Sequence, residues 1–341
     1  MAAKSIINMS PIAFYSYDFC GGNMMRALIY GAGAIGSFIG FLLSDTAAMK
    51  GQLVDNVALL GRKGHIEEIR ANGLKIGLFD ETKFVKFRNC FSSLGELDRS
   101  DFTPDLVVIC VKTHSLRRVR DEILESGLLA GKLRGATFVL LMNGMGNKEL
   151  FALPSKNVYE AFTSIGVKFL KDGMVELKGT AKTVMEDGIS AAIKEFLAQR
   201  FDSNNLEIEF VPEFKSHQWN KLFVNSVINP ITALTGANNG IVLSEPLRST
   251  MKKIVEECIL VARMEGIDAE TDDVLEFILS VASNTSMNTS SMLSDTINRK
   301  RTEIESINGY VIRAAKKHNI SVPVNETLYA MIKTIENRYL N

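Results

Sequence analysis

The sequence predicts an α/β protein, with a parallel sheet covered by helices in the first half and an all-helical second half. Three observations carry this. Short unbroken apolar runs alternate with helical stretches from Arg26 to about Gly146, the pattern of strands buried on both faces by crossover helices. A glycine-rich turn joins the first of those runs to the first helix. From Pro212 onward the apolar residues recur at helical spacing to the end of the chain.

Residues 1–24 make a poor start for a fold. Lys4 precedes an apolar stretch, but Asn8, Ser10 and Pro11 break it before it becomes a signal-peptide core. The segment reads as a disordered extension, or as sequence upstream of a start near Met25. The first strand is expected at 27–30 and the first helix at 37–48. Residues 27–44 carry no charge and include Gly36-x-x-x-Gly40, which raises a membrane-spanning helix. Four glycines crowded towards one end suit a turn better. Further strands are expected at 57–60, 106–111 and 137–141, with helices at 64–72 and 115–125 and a loop over 49–56. Runs at 161–170 and 174–178 flank Lys171-Asp172-Gly173 as a hairpin. A strand at 183–185, a helix at 190–201 and a strand at 206–211 complete the half. The expected division is an α/β domain over 25–211 and a helical domain over 212–341.

A chain of 341 residues suits two domains with cores of their own. Thirty-nine basic residues balance thirty-nine acidic ones, so no global field attracts nucleic acid or an anionic membrane. With 46% hydrophobic residues and only 7 prolines, the composition argues against a disordered chain. Cys20, Cys90, Cys110 and Cys258 lie far apart with no C-x-x-C pair, which fits a reduced, cytoplasmic compartment. No metal-ligand spacing links His65, His114, His217 and His318, so they read as surface or structural and no metal is expected.

Gly31-Ala32-Gly33-Ala34-Ile35-Gly36 follows the first strand and opens the first helix. In that context G-x-G-x-x-G is a Rossmann-type dinucleotide turn. The first glycine makes the tight turn, the second admits a pyrophosphate, the third lets helix and strand pack closely, and the helix N-terminus faces the phosphates. After the second strand, where an NAD site places Asp or Glu, stand Gly61-Arg62-Lys63. A guanidinium there favours the 2′-phosphate of NADP; the competing reading is a solvated basic turn. Lys112 and Asn143 follow the next two strands, at the carboxyl edge where open parallel sheets bind ligands.

In the second half Lys221, Asn225 and Asn229 recur every four residues among Trp219, Leu222, Phe223 and Val227. They therefore share one face of a largely buried helix, which Pro230 is expected to break. Asp295, Arg299 and Glu303 repeat the spacing on a second helix, where the bland reading is an exposed ion-pair ladder.

Three stretches together resemble the ketopantoate reductase family: 219–233, Ser290-Ser291-Met-Leu-x-Asp295 with Thr302-Glu303-Ile-x-x-Ile-Asn308-Gly309, and Asn143-Gly-Met-Gly146. The resemblance runs from about Met25 to Tyr339. It implies a Rossmann domain followed by a helical domain similar to that of 6-phosphogluconate dehydrogenase. It also implies NADPH-dependent reduction of a small 2-keto acid, 2-dehydropantoate, to (R)-pantoate in pantothenate synthesis. Carried over residue by residue, it makes Lys221 the general acid and Glu303 the catalytic carboxylate. Asn143, Asn225, Asn229, Asn288 and Ser291 become substrate contacts. Gly31, Ala32, Gly33, Ala34, Ile35, Gly36, Arg62, Lys112, Asn143 and Glu303 become the NADP contacts. Two other readings compete: a related NADP-dependent 2-keto-acid or opine-type reductase, and an NADPH-binding sensor without turnover. The C-terminal helices offer a surface for a homodimer.

Overall fold

The first apolar run becomes the middle of a sheet. The computed structural model describes residues 24–44 and 53–340. Its strands are β1 (Ala27–Tyr30), β2 (Leu53–Leu60), β3 (Leu74–Gly77), β4 (Thr82–Phe91), β5 (Leu106–Ile109), β6 (Thr137–Leu141), β7 (Val158–Thr163), β8 (Gly166–Lys171), β9 (Met174–Gly179), β10 (Thr183–Glu186) and β11 (Ile208–Val211). Their order is β11-β10-β7-β6-β5-β1-β2-β4-β3-β9-β8. β1 pairs in parallel with β2 on one side and β5 on the other, so the strand order reverses beside it, the place where such sheets open a crevice.

Helices α1 (Ala34–Leu43), α2 (Lys63–Asn72), α3 (Leu94–Arg99), α4 (Leu116–Glu125), α5 (Asn147–Phe151) and α6 (Ala191–Asp202) cover both faces. α1, α2 and α6 share one apolar cluster, while α3, α4 and α5 share the other. The Gly36-x-x-x-Gly40 pattern serves this packing. A Cβ on Gly40 would come within 2.5 Å of Leu59, and one on Gly36 within 2.2 Å of the Gly31 carbonyl. Among the described residues no helix is long and apolar enough to cross a membrane.

Several expectations need correction. α1 stops at Leu43 rather than 48, where Ser44 turns out of the helix and its hydroxyl donates to the Gly40 carbonyl at 2.7 Å. Of the loop expected over 49–56, residues 53–56 belong to β2 and the rest lie outside the described residues. Residues 1–23 of the expected extension, with Cys20, also lie outside them. β3, β4 and α3 were not anticipated; β4 buries Val85, Phe87, Cys90 and Phe91 and pairs with both β2 and β3. The run expected as one strand at 161–170 is two. β7 lies beside β6, while β8 pairs back on β9 as the expected hairpin and forms the far edge. Buried His65 holds that hairpin down: its Nδ1 accepts from the Gly173 N–H at 3.0 Å, so its Nε2 donates to Ser37 Oγ at 2.9 Å.

The remaining helices are α7 (Phe214–Thr235), α8 (Arg248–Met264), α9 (Thr271–Asn284), α10 (Ser291–Ile297), α11 (Asn308–Lys317) and α12 (Pro323–Leu340). They enclose a core built on Trp219, Phe223, Val255, Cys258, Ile278 and Ile332. α7 runs straight through Pro230, against the expected break. Proline removes the donor that the carbonyl four residues earlier needs, and here the buried Asn308 amide supplies it, donating to the Ser226 carbonyl at 3.1 Å.

Candidate active site

Two segments at the carboxyl edge of the sheet meet the helical half. Lys112 follows β5, and its ammonium pairs with Asp295 at 2.9 Å and Glu303 at 3.4 Å. Asn143 follows β6 and donates to the same Glu303 oxygen at 3.2 Å. The turn after Asn143 is docked by backbone: the Met145 N–H donates to the Ser306 carbonyl at 3.1 Å. Gly144 has φ +79°, and a Cβ on it would sit 2.5 Å from that carbonyl. A side chain there would force the two halves apart.

The ladder expected from Asp295 through Arg299 to Glu303 does not form. α10 ends at Ile297, Arg299 takes a left-handed conformation, and the Lys300 N–H returns to the Asp295 carbonyl at 2.8 Å, the backbone signature of a helix stop. Glu336 then holds Thr302 through its N–H at 2.7 Å and its hydroxyl at 2.6 Å. This turn is what swings Glu303 back towards Lys112. Ile304, Ile307, Val311 and Ile312 are all buried beyond the break from α10.

Lys221, half-buried on α7, reaches the first half instead. Its ammonium donates to the Thr163 carbonyl at 2.5 Å and Ser164 Oγ at 3.3 Å, and lies 4.8 Å from the Phe162 ring centroid. Asn225 shares its small crevice with Gly144, Phe162 and Gln218. Asn229 follows one turn later and is buried. Asn288 and Ser291 are exposed; among the described residues no hydrogen bond or ion pair joins them to Lys221 or Glu303. It is Ser290 that caps α10, accepting from the Leu293 N–H at 3.1 Å while meeting Thr232 Oγ1 at 2.6 Å.

The two lysines differ electrically. Burial pulls Lys221 down to about 8, with the Glu303 charge opposing it. Burial also pulls on Lys112, but Glu303 and Asp295 together outweigh it and hold that ammonium above the ordinary lysine range. Burial pushes the Asp295 carboxyl up, and Lys112 opposes the rise. The cleft thus carries one fixed cation and one lysine able to release its proton near neutral pH, the separation that acid–base chemistry requires.

Asp295, the Thr163 carbonyl and Gln218 were not expected as parts of this region. Asp295 lay within a family motif. A backbone carbonyl leaves no trace in residue type.

The glycine turn lies next to the end of β5, where a Cβ on Gly31 would come within 2.7 Å of Val111. Gly31 has φ +103°, and a Cβ on Gly33 would meet only the Gly31 carbonyl, at 4.0 Å. The first turn of α1 carries no acidic residue and no side-chain cap, so its N–H groups are free for an anion. Gly61 packs against Ala32, and exposed Arg62 stands at the N-cap of α2 with its guanidinium 5.5 Å from the Phe169 ring centroid.

Comparison with known proteins gives a consistent result. The family model described as ketopantoate reductase PanE/ApbA matches residues 27–188, and the model of its C-terminal region matches 213–336. A 2-dehydropantoate 2-reductase of Pyrococcus horikoshii is 32% identical over 92% of this chain and 98% of its own. A PanE/ApbA family ketopantoate reductase from Ralstonia eutropha superposes with a TM-score of 0.81, at 26% identity, over 93% of this chain and 100% of its own. D-mandelate dehydrogenase, solved with NADH and anilino(oxo)acetate, has a TM-score of 0.80 over 93% and 100%; at 23% identity it speaks for the fold alone.

Proposed function

The chain belongs to the ketopantoate reductase family of oxidoreductases, and we propose that it reduces 2-dehydropantoate to (R)-pantoate with NADPH, a step of pantothenate synthesis. The observation that carries this reading is the pair of lysines: Lys112 held cationic by two carboxylates, and Lys221 lowered to about 8 beside Asn225. A sensor would need no such acid.

The residues fit a dinucleotide. The open side of Gly33 and the uncapped start of α1 suit a pyrophosphate, so Gly31, Ala32, Gly33, Ala34, Ile35 and Gly36 are its cradle. Arg62 offers a fork to a 2′-phosphate, which favours NADPH over NADH. Lys112, Asn143 and Glu303 would then border the nicotinamide, which supplies the hydride when bound. Lys221 polarises the ketone and passes a proton from Nζ to the alkoxide oxygen. Doing so requires the ammonium to exchange the Thr163 carbonyl for the substrate oxygen. Asn225 and Asn229 hold the hydroxyl and carboxylate groups. Asn288 and Ser291 join them if the cleft closes on substrate. The free thiols of Cys90, Cys110 and Cys258 fit a cytoplasmic setting.

The test is NADPH consumption with 2-dehydropantoate, beside pyruvate, 2-ketoisovalerate and an NADH control. Turnover confined to dehydropantoate and NADPH supports the proposal. Faster turnover of another keto acid would move the chain to a related reductase, and NADPH binding without oxidation of any would leave a sensor.

A further inference from the structure

A second cavity, much larger than the crevice beside Lys221, lies apart from it. It encloses about 850 Å³ between α5, β7, β10, α7 and α11, a volume typical of sites for small organic molecules. None of the residues assigned above to substrate or cofactor lines it. Gly144 faces the Lys221 crevice, Met145 and Gly146 face the larger cavity, and Gln218 lines both.

Glu160, on β7, lines this cavity and is only 9% exposed. Its Oε1 is buried with no hydrogen-bond partner, an arrangement that costs free energy unless a ligand completes it. Gln218, on α7, is the donor that reaches this carboxylate, and the others around it are committed elsewhere. Lys148, on α5, bonds both oxygens of Glu186 at 2.7 and 2.8 Å, and Glu186 on β10 also takes the Glu160 N–H at 2.9 Å. Tyr310 on α11 and Trp219 on α7 both donate to Glu265. The cavity wall also presents Met145, Leu150 and Phe214. The site is thus a carboxylate with one oxygen unpaired, in the wall of a part-apolar chamber. Among the described residues no group of three metal-ligating side chains occurs, which argues against a metal ion.

We propose that this cavity is a second binding site, for a small organic cation whose ammonium pairs with the Glu160 carboxylate and whose apolar body lies against Met145, Leu150 and Phe214. Ion pairing and apolar burial together select a primary alkylamine over either an inorganic cation or a neutral alcohol. The site stands apart from the reductase reading and survives its failure.

The groups facing Glu160 give the proposal a pH signature. Burial first, then the Glu186 and Glu149 charges, push its carboxyl up to about 7 against the pull of Lys148 and Gln218. A cation needs the ionised form, which rises from about a tenth at pH 6 to about nine-tenths at pH 8. Titration calorimetry with n-butylammonium, with 1-butanol as the neutral probe, should give an association constant about tenfold larger at pH 8 than at pH 6. Glu160→Gln should lose binding by at least about tenfold, while Lys221→Ala keeps it. Butylammonium binding no more tightly than butanol, or with no pH dependence in the unaltered protein, would overturn the proposal whether or not the glutamine variant folds. Equal affinity in a folded Glu160→Gln protein would do the same.

Discussion

A lysine lowered to about 8 makes the proposed reaction depend on pH in a way that can be worked out beforehand. Ketone reduction needs the Lys221 ammonium, so activity belongs to the low-pH side and falls as pH rises through 8. With a single ionisation there, about 90% of the protein carries the acid at pH 7 and about 10% at pH 9, a roughly tenfold fall in rate. An unshifted lysine near 10.5 would give almost no fall over that range. The opposite reaction, pantoate oxidation, needs the neutral amine and should rise through the same interval. Steady-state kcat and kcat/KM for NADPH oxidation, measured at half-unit steps of pH, separate the cases. Two variants sharpen the result. Glu303→Gln removes the charge that supports the ammonium, so its remaining activity should fall at lower pH than that of the unaltered protein. Lys221→Ala should lose at least about 10²-fold in kcat and have no limb near 8, while still binding NADPH. Undiminished turnover in Lys221→Ala would remove this lysine from the mechanism, and a flat profile between pH 7 and 9.5 would refute its lowering to about 8.

Other perturbations test other joints of the molecule. Arg62→Ala should raise KM for NADPH by about 10- to 100-fold through loss of a charge-assisted bond and leave NADH almost unchanged; equal losses for the two cofactors would dismiss Arg62 as the 2′-phosphate partner. Asn308→Ala takes a donor from the Ser226 carbonyl and from Asn325 Oδ1, which it meets at 2.9 Å. Urea unfolding should register a loss of about 1–3 kcal/mol, and no loss would mean that α7 tolerates Pro230 unaided. Gly144→Ala should push the turn off Ser306 and carry Asn143 away from Glu303, lowering kcat by at least about tenfold; wild-type kcat would show that the docking is not needed for turnover.

How far the sequence could be read depended on whether an interaction was local. β1, β5 and β6 were visible because an unbroken apolar run records burial on both faces, and the shared face of Lys221, Asn225 and Asn229 follows from helical spacing alone. β4 was missed although Val85 and Phe87 alternate with charged neighbours, because its 10 residues carry no turn signal at the right place. Pro230 was misread for a different reason. Its cost was visible locally, but the remedy comes from Asn308, 82 residues from the carbonyl it serves. The same distance in sequence hid the meaning of Asp295 and Glu303. At i and i+8 they looked like rungs of one helix, and only the left-handed Arg299 and the hold of Glu336 on Thr302 turn the chain so that both carboxylates meet Lys112. That meeting joins the two halves at the point where Asn143 also reaches Glu303. Among the described residues, Glu303 is therefore the one carboxylate that feels both lysines, fixing the charge on Lys112 and opposing its loss on Lys221. A change at Glu303 should accordingly disturb the acid and the junction together, whereas a change at Asp295 acts on Lys112 and leaves the pH limb of Lys221 where it was.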